Sequence, residues 1–519
     1  MRTRAGRAAA ALLAVAAWCG GGPGCGPEVR RVPGDTSELR LRLHPPPAQD
    51  PFEGVAELRL VLALPDGTSQ EWRLDGSASE ALVVGQPAAG VSLRLEGLDL
   101  DHQLVSSGQS APFDLDPLVP VEVDLLFARA GEFAQLEGPL SQARFGHSAV
   151  PLGDGRVLIV GGAGAGDLDA PQALASPELY DPRLQSACTL GEAGCPVVGE
   201  GDRRFGQEAC ATADGDAFVF GGRDAGGQLV QRVLLYRHAE DSWLEVQGIN
   251  PALVPPRTGH ALAGLQVLNG ETARDGILVA GGELDGGAVT GLAALFDVQT
   301  RSFTRTNLSL ARPRSGLRAA RLGAGGHRLV LVGGRDAAGL VAPVELFDGS
   351  NLGLIQPQGA LTRDSLLTPR LRPGLAEVGG RVFVLGGDDG LLTKDDPEVV
   401  VLDVEEGSGV VPLHVAVVHA DHVGRRGAVV APLPSGAVLI AGGEVLNGFE
   451  RQLQGTAEWM MRPELSVDVS FVGAGELGQP LSFPGVALLA GGGVLITGGL
   501  RVGDGGLEAT GEVWYYNPR

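Results

Sequence analysis

The chain has 519 residues, 44% hydrophobic and 20% charged. That is too long for one ordinary core and too apolar for disorder, so two or more modules or a repeat array are expected. A formal charge of −22 argues against nucleic acid, whose affinity comes from Lys and Arg on phosphates, and against an anionic membrane surface.

Residues 1–25 read as a signal peptide of the lipoprotein type. Arg2, Arg4 and Arg7 form a basic start, and Ala8 to Trp18 an apolar run about half the ~20 residues that span a bilayer. Gly22 and Gly24 precede Cys25 and make it the first candidate for lipidation. Cys19, behind bulky Trp18, is the second, and the alternative is an ordinary cleaved signal with incidental cysteines. The address this implies is the cell envelope, outer-membrane-anchored or periplasmic, with the membrane touched only through the lipid. Residues 26–35 are a tether. From 36 to 130 apolar residues alternate with polar ones, as in Leu39, Leu41, Leu43 and Leu58, Leu60, Leu62. Period two between Asp-Gly, Pro and Gly clusters predicts a small antiparallel β-sandwich of immunoglobulin- or fibronectin-like kind.

From 131 onward a short apolar run ends in a glycine pair seven times: Gly161-Gly162, Gly221-Gly222, Gly281-Gly282, Gly333-Gly334, Gly386-Gly387, Gly442-Gly443 and Gly498-Gly499. The first glycines lie 60, 60, 52, 53, 56 and 56 residues apart, the mark of stacked supersecondary units. Asp-Gly turns such as Asp154-Gly155 and Asp214-Gly215 precede the pairs and predict hairpins. Third strands follow at Tyr180-Asp181, Phe296-Asp297, Phe347-Asp348, Leu402-Asp403 and Tyr516-Asn517, and Trp243 and Phe303 lie in fourth strands. Arg144, Arg204, Arg257, Arg314, Arg372 and Arg425 hold one slot before the pairs, with Leu481 in the last repeat. The final repeat lacks a fourth strand, and 132–140 is expected to supply it from the N-terminal side. Cys188 and Cys195 are expected to form a disulfide, leaving Cys210 a buried thiol.

These features resemble the kelch repeat of galactose-oxidase-like β-propellers. The resemblance implies an all-β chain: a seven-bladed kelch-type propeller over 131–519 behind the sandwich. The copper site of galactose oxidase is not expected. The four tyrosines, Tyr180, Tyr236, Tyr515 and Tyr516, fall in repeat slots, and no cofactor or metal is predicted. His414, His419 and His422 read as exposed histidines of a connection, and Asp388-Asp389 and Asp395-Asp396 as solvated loops rather than calcium ligands. His147 and His260 read as packing residues.

The function expected is non-catalytic: a monomeric binding or scaffolding protein for a protein or polysaccharide ligand. The alternative is a propeller enzyme acting on glycans, which would need convergent carboxylates. The candidate ligand site is the glycine-pair end, where loops carry Asp167, Asp169, Asp224, Asp285, Asp336, Asp388 and Asp389 beside the six arginines. The competing expectation is that each arginine pairs with a neighbouring aspartate and fixes the ring.

Overall fold

The computed structural model describes residues 37–519 apart from 76–81, 85–87, 117–118, 167–169, 189–194, 196–202, 270–271, 324, 351–352, 356–364, 367, 403–412, 418–421 and 462–468. Cys19, Cys25, Asp167, Asp169 and His419 therefore lie outside the described residues. The chain is all-β: many small antiparallel sheets, with no α-helix among the described residues.

The alternating N-terminal stretch forms two facing sheets. One has the order Leu82–Val84, Ser37–His44, Val121–Leu126. The other runs Ser69–Asp75, Glu57–Ala63, Ala88–Leu98, Leu104–Gln109, Ala128–Arg129. Every second residue points between them, and Leu39, Leu60, Leu93, Leu95, Leu125 and Phe127 are fully buried there. Ser37–His44 is parallel to Val121–Leu126, where antiparallel pairing was expected. These strands are the two ends of the unit, so no hairpin turn dictates their relative direction.

Seven further sheets follow, each with four strands in antiparallel order. In chain order, the first two strands of each are Ser148–Pro151 and Val157–Val160, Phe205–Ala211 and Ala217–Arg223, Ala261–Asn269 and Thr272–Ala280, Ser315–Arg321 and Arg328–Asp336, Gly374–Val378 and Arg381–Leu385, Val429–Pro432 and Val438–Ala441, and Gly485–Leu488 and Val494–Gly503. Sheet four carries an extra short strand, Gly339–Leu340. Each second strand runs into a glycine pair, and Ala217–Arg223, Arg328–Asp336 and Val494–Gly503 continue through it. The outer strand of sheet seven is Glu132–Gln135, antiparallel to Gly506–Asn517, with Glu132 opposite Asn517 and Phe133 opposite Tyr516.

Consecutive sheets share apolar cores, and the seventh shares one with the first. A repeated hydrogen bond ties them at the glycine pairs. The second glycine of each pair donates its N–H to the carbonyl of the arginine-slot residue of the next sheet. These bonds are Gly162 to Arg204 (3.1 Å), Gly222 to Arg257 (2.9 Å), Gly282 to Arg314 (2.8 Å), Gly334 to Arg370 (3.0 Å), Gly387 to Arg425 (3.1 Å) and Gly443 to Leu481 (2.7 Å). The seventh, Gly499 to Arg144 (2.7 Å), returns to sheet one. Glycine is required because the backbones touch: at Gly386 (φ +56°) a Cβ would fall on the Arg425 carbonyl oxygen.

The two-sheet unit is fastened where sheets seven and one meet. Leu126 and Ala128 enter their shared core, and the Asn517 amide donates to the carbonyls of Ala128 (2.7 Å) and Ser107 (3.2 Å). Cys188 and Cys195 form a disulfide with their Cα atoms 5.7 Å apart. Cys210 is free in the strand Phe205–Ala211, and burial pushes its thiol up to about 12.

Candidate functional site

The repeat arginines are buried clamps, not the lining of an open mouth. Arg144, Arg204, Arg257 and Arg314 are 0% exposed and Arg425 is 6% exposed. Each sends Nη1 to the carbonyl of the first glycine of its own pair: Gly161 (3.1 Å), Gly221 (3.3 Å), Gly281 (3.0 Å), Gly333 (3.3 Å) and Gly442 (3.2 Å). The positive guanidinium thus satisfies a carbonyl at the tightest point of the fold.

In repeat five this residue is Arg370, not Arg372. Arg370 is fully buried and reaches Gly386 O at 3.0 Å. Arg370 stands 16 residues before Gly386, close to the 17 of three other repeats, whereas Arg372 stands 14 before it but is followed, as they are, by one residue and a glycine. The third-strand slot is displaced as well: Val382 pairs with Val400, the position of Tyr180 opposite Val157, so Leu402 lies two residues beyond it.

Four arginines share a carboxylate from the third strand of their own sheet. The pairs are Arg144–Glu178, Arg314–Glu345 (2.5 Å), Arg370–Glu398 (2.7 Å) and Arg425–Glu458. Glu178, Glu345 and Glu398 also accept backbone N–H groups of the incoming loop, as Glu345 does from Ala311 (2.7 Å). In sheet three the register puts Ala294 at this place, and Arg257 reaches only the carbonyls of Pro255, Gly281 and Leu292. Its Nη2 has no partner, and burial pulls its guanidinium down to about 10. In sheet seven both members are apolar, Leu481 against Trp514. The expected partner of each arginine was an aspartate. In these four sheets it is a glutamate of the third strand, which the second strand separates from the first.

Two residues beyond each arginine slot stand Gly146, Gly206, Gly259, Gly316, Arg372, Gly427 and Phe483, all with positive φ. Backbone bonds link neighbours in this series: Gly316 N to Gly259 O (2.7 Å), Arg372 N to Gly316 O (2.9 Å), Phe483 N to Gly427 O (2.8 Å) and Gly146 N to Phe483 O (3.0 Å). Arg372 (φ +46°) and Phe483 (φ +52°) are the two that carry side chains. Left-handed backbone at such residues costs of order 1–3 kcal/mol and collects at functional sites. Phe483 lies beneath Arg426, whose guanidinium carbon is 5.7 Å from the ring centroid. Sequence reasoning missed this pair, although five of the seven repeats read Arg-x-Gly and the two breaks in that motif mark them.

Asp388 is not a surface ligand group. It is fully buried, accepts from Gly390 N (2.8 Å), and its Oδ2 lies 3.5 Å from Arg372 and 3.8 Å from Arg426. Asp389 is partly exposed and paired with Lys394 at 2.5 Å. Burial pushes its carboxyl up, but Lys394 and the N–H groups of Leu392 and Leu391 outweigh that and hold it at about 2. Asp224 and Asp336 each close their own loop by accepting backbone N–H groups. His422 is stacked on Phe471 with ring centroids 4.4 Å apart and lies near Glu458, a packing position rather than an exposed one. Among the described residues no three His, Cys, Asp or Glu side chains are placed to hold a metal ion.

His147 and His260 back the first glycine of the preceding pair, and a Cβ at Gly221 would meet the His260 ring. His260 is fully buried, and desolvation pulls it down to about 3. The unfolded chain binds a proton near pH 6.5 that the folded protein refuses until about pH 3. Stability is therefore unaffected above pH 6.5 and falls below it, by up to about 1.4 kcal/mol per pH unit. Melting temperature should drop on acidification from pH 7 to pH 4, and His260→Gln, the residue type at Gln207 in the preceding sheet, should flatten the drop. An unchanged slope would remove His260 as the cause.

No protein-family model matches the chain, and no curated protein matches it.

Proposed function

We propose that residues 131–519 are a seven-bladed kelch-type β-propeller in an exported, lipid-anchored, non-catalytic protein that binds or scaffolds a polymeric partner at its glycine-pair end. One observation carries this reading: the glycine-to-arginine-slot hydrogen bond recurs between all seven sheets in turn and ends where it began, at Arg144. Such a body is rigid, and binding function on rigid scaffolds resides in loops. The glycine-pair end supplies them, in the hairpin Glu444–Asn447 with Glu450–Leu453 and the long strands Val494–Gly503 and Gly506–Asn517. The acids converging there favour binding over glycan hydrolysis. Glu444 is engaged by Arg426 (2.6 Å) and Arg451 (2.9 Å), and Asp388 lies between two arginines. Acids so occupied are poor general acids or bases.

The test is capture from detergent-extracted envelopes of the source cell. Wild type should retain a partner. Cys25→Ala should leave the detergent phase, and Phe449→Ser at the glycine-pair end should lose the partner, while Asp214→Lys in an opposite-end turn should keep it. Retention by Phe449→Ser with loss by Asp214→Lys would move the site to the other end. Absence of any retained partner would sink the binding role.

A further inference from the structure

Three apolar side chains stand out from the glycine-pair end on loops that hold one another. Leu391 is 54% exposed, Leu392 47% and Phe449 98%. Leu391 and Leu392 belong to the loop after the glycine pair of sheet five, and Phe449 is at the hairpin turn after that of sheet six. The loops are joined: Gly448 N donates to Leu391 O at 3.0 Å, and Leu392 bridges Asn447.

Each loop is also fixed at its base. Asp389 accepts Leu391 N (2.9 Å) and Leu392 N (2.8 Å) and pairs with Lys394. Glu444, fully buried, ties the hairpin to Arg426 and Arg451. These side chains are therefore held in water by design of the loops and not by fraying. Contiguous exposed apolar surface rimmed by polar groups marks an interaction site. The next hairpin, in sheet seven, adds Val502 at 66% exposure.

The charge around the ridge selects the partner. Residues 388–396, 444–453 and 500–512 carry nine acidic side chains against three basic ones. The basic three, Lys394, Arg451 and Arg501, are already paired within these loops. Exposed Asp396, Glu450 and Asp504 are left over. A second copy of the chain would bring the same acidic rim, and its net charge of −22 opposes self-association.

We propose, resting on the reading of the glycine-pair end as the ligand face, that this ridge docks a cationic polypeptide: an apolar anchor side chain seated on Leu391, Leu392 and Phe449, flanked by Lys or Arg facing the acidic rim. Apolar burial supplies the affinity, and the charges supply steering and selection against acidic partners.

Fluorescence anisotropy on the full chain tests it, with labelled peptides of about 12 residues at ~50 and ~300 mM salt. One peptide has a Leu-Trp-Leu centre between lysines, the second the same centre between glutamates, and the third a Ser-Gly-Ser centre between lysines. A chitin hexasaccharide is the fourth probe. The lysine peptide with the apolar centre should bind at least about tenfold tighter than the others and weaken in the higher salt. Phe449→Ser and Leu391→Ser should each weaken it about tenfold and Glu450→Lys severalfold, with Asp214→Lys unchanged. All are exposed positions whose substitution leaves the fold intact. Equal binding of all peptides, no binding, binding of the saccharide alone, or full affinity in Phe449→Ser overturns the proposal. If envelope capture remains sensitive to Phe449→Ser in that case, the ligand face stands and only the partner chemistry is wrong.

Discussion

Glu345→Ala should lower the melting temperature by about 4–6 °C, from a loss of about 3–5 kcal/mol. Arg314 and Glu345 are 0% and 2% exposed and 2.5 Å apart. Removing the acid strands a desolvated cation that burial already pulls down and Glu345 pulls back up. It also frees the N–H of Ala311. The molecule holds its own controls. Sheet seven places Leu481 and Trp514 in these positions, so replacing both members by apolar residues should cost less than the single change. Ala294→Glu should raise the melting temperature by giving the Nη2 of Arg257 an acceptor. The gain should be smaller than the loss in Glu345→Ala, because Pro255 has no N–H to offer the new carboxylate. A Glu345→Ala protein melting within about 1 °C of wild type would show that these pairs contribute little, as exposed pairs do.

What could be read from the sequence follows how locally each feature is encoded. The glycine pairs, hairpin turns and second strands were legible because they lie within about twenty residues and recur seven times. The arginine partners were not. Their glutamates lie 34, 31, 28 and 33 residues further on, across loops of unequal length, and sheets two, three and seven place Leu234, Ala294 and Trp514 there instead. Arg370 was missed for Arg372 because Arg372-Pro373-Gly374 reproduces the Arg-x-Gly of the other repeats, while Arg370 is followed two residues on by an arginine. The parallel pairing of Ser37–His44 with Val121–Leu126 is set by the core between the sheets and not by any turn. The ridge left a trace only at Leu391 and Leu392, where the other repeats place mostly glycine. Exposure, which gives those residues meaning, is a property of the folded loops.

Deleting 132–140 is expected to be the more damaging change. It removes the strand opposite Trp514 to Asn517, the ring contact of Phe133 with Tyr516 at 4.8 Å, and Leu136 and Leu140 from the core between sheets seven and one. Two leucines of ~1.5–3 kcal/mol each already amount to about 3–6 kcal/mol before the ladder bonds are counted. The exposed edge of Gly506–Asn517 is then a template for another chain. The deletion protein should melt more than about 10 °C lower and aggregate in a concentration-dependent way by light scattering. Leu136→Ala alone should show about a third of the effect. A deletion variant as stable and monomeric as wild type would mean that the last sheet is complete with three strands.

The Asn517 side chain joins positions 389 residues apart, and His147 meets Thr497 across 350. Ribosomes deliver this chain from its N-terminus, so Glu132–Gln135 and the Arg144 carbonyl are made long before the strand and glycine that complete them. For that interval sheet one has an unanswered flank and a short orphan strand, a state open to pairing with neighbouring chains. Closing so long a loop delays the final step while adding little to its equilibrium cost, since loop entropy grows only logarithmically with length. The molecule is therefore most vulnerable in its youth: once Gly506–Asn517 docks, the bonds that form last cover the strand Glu132–Gln135 and the flank of sheet one together.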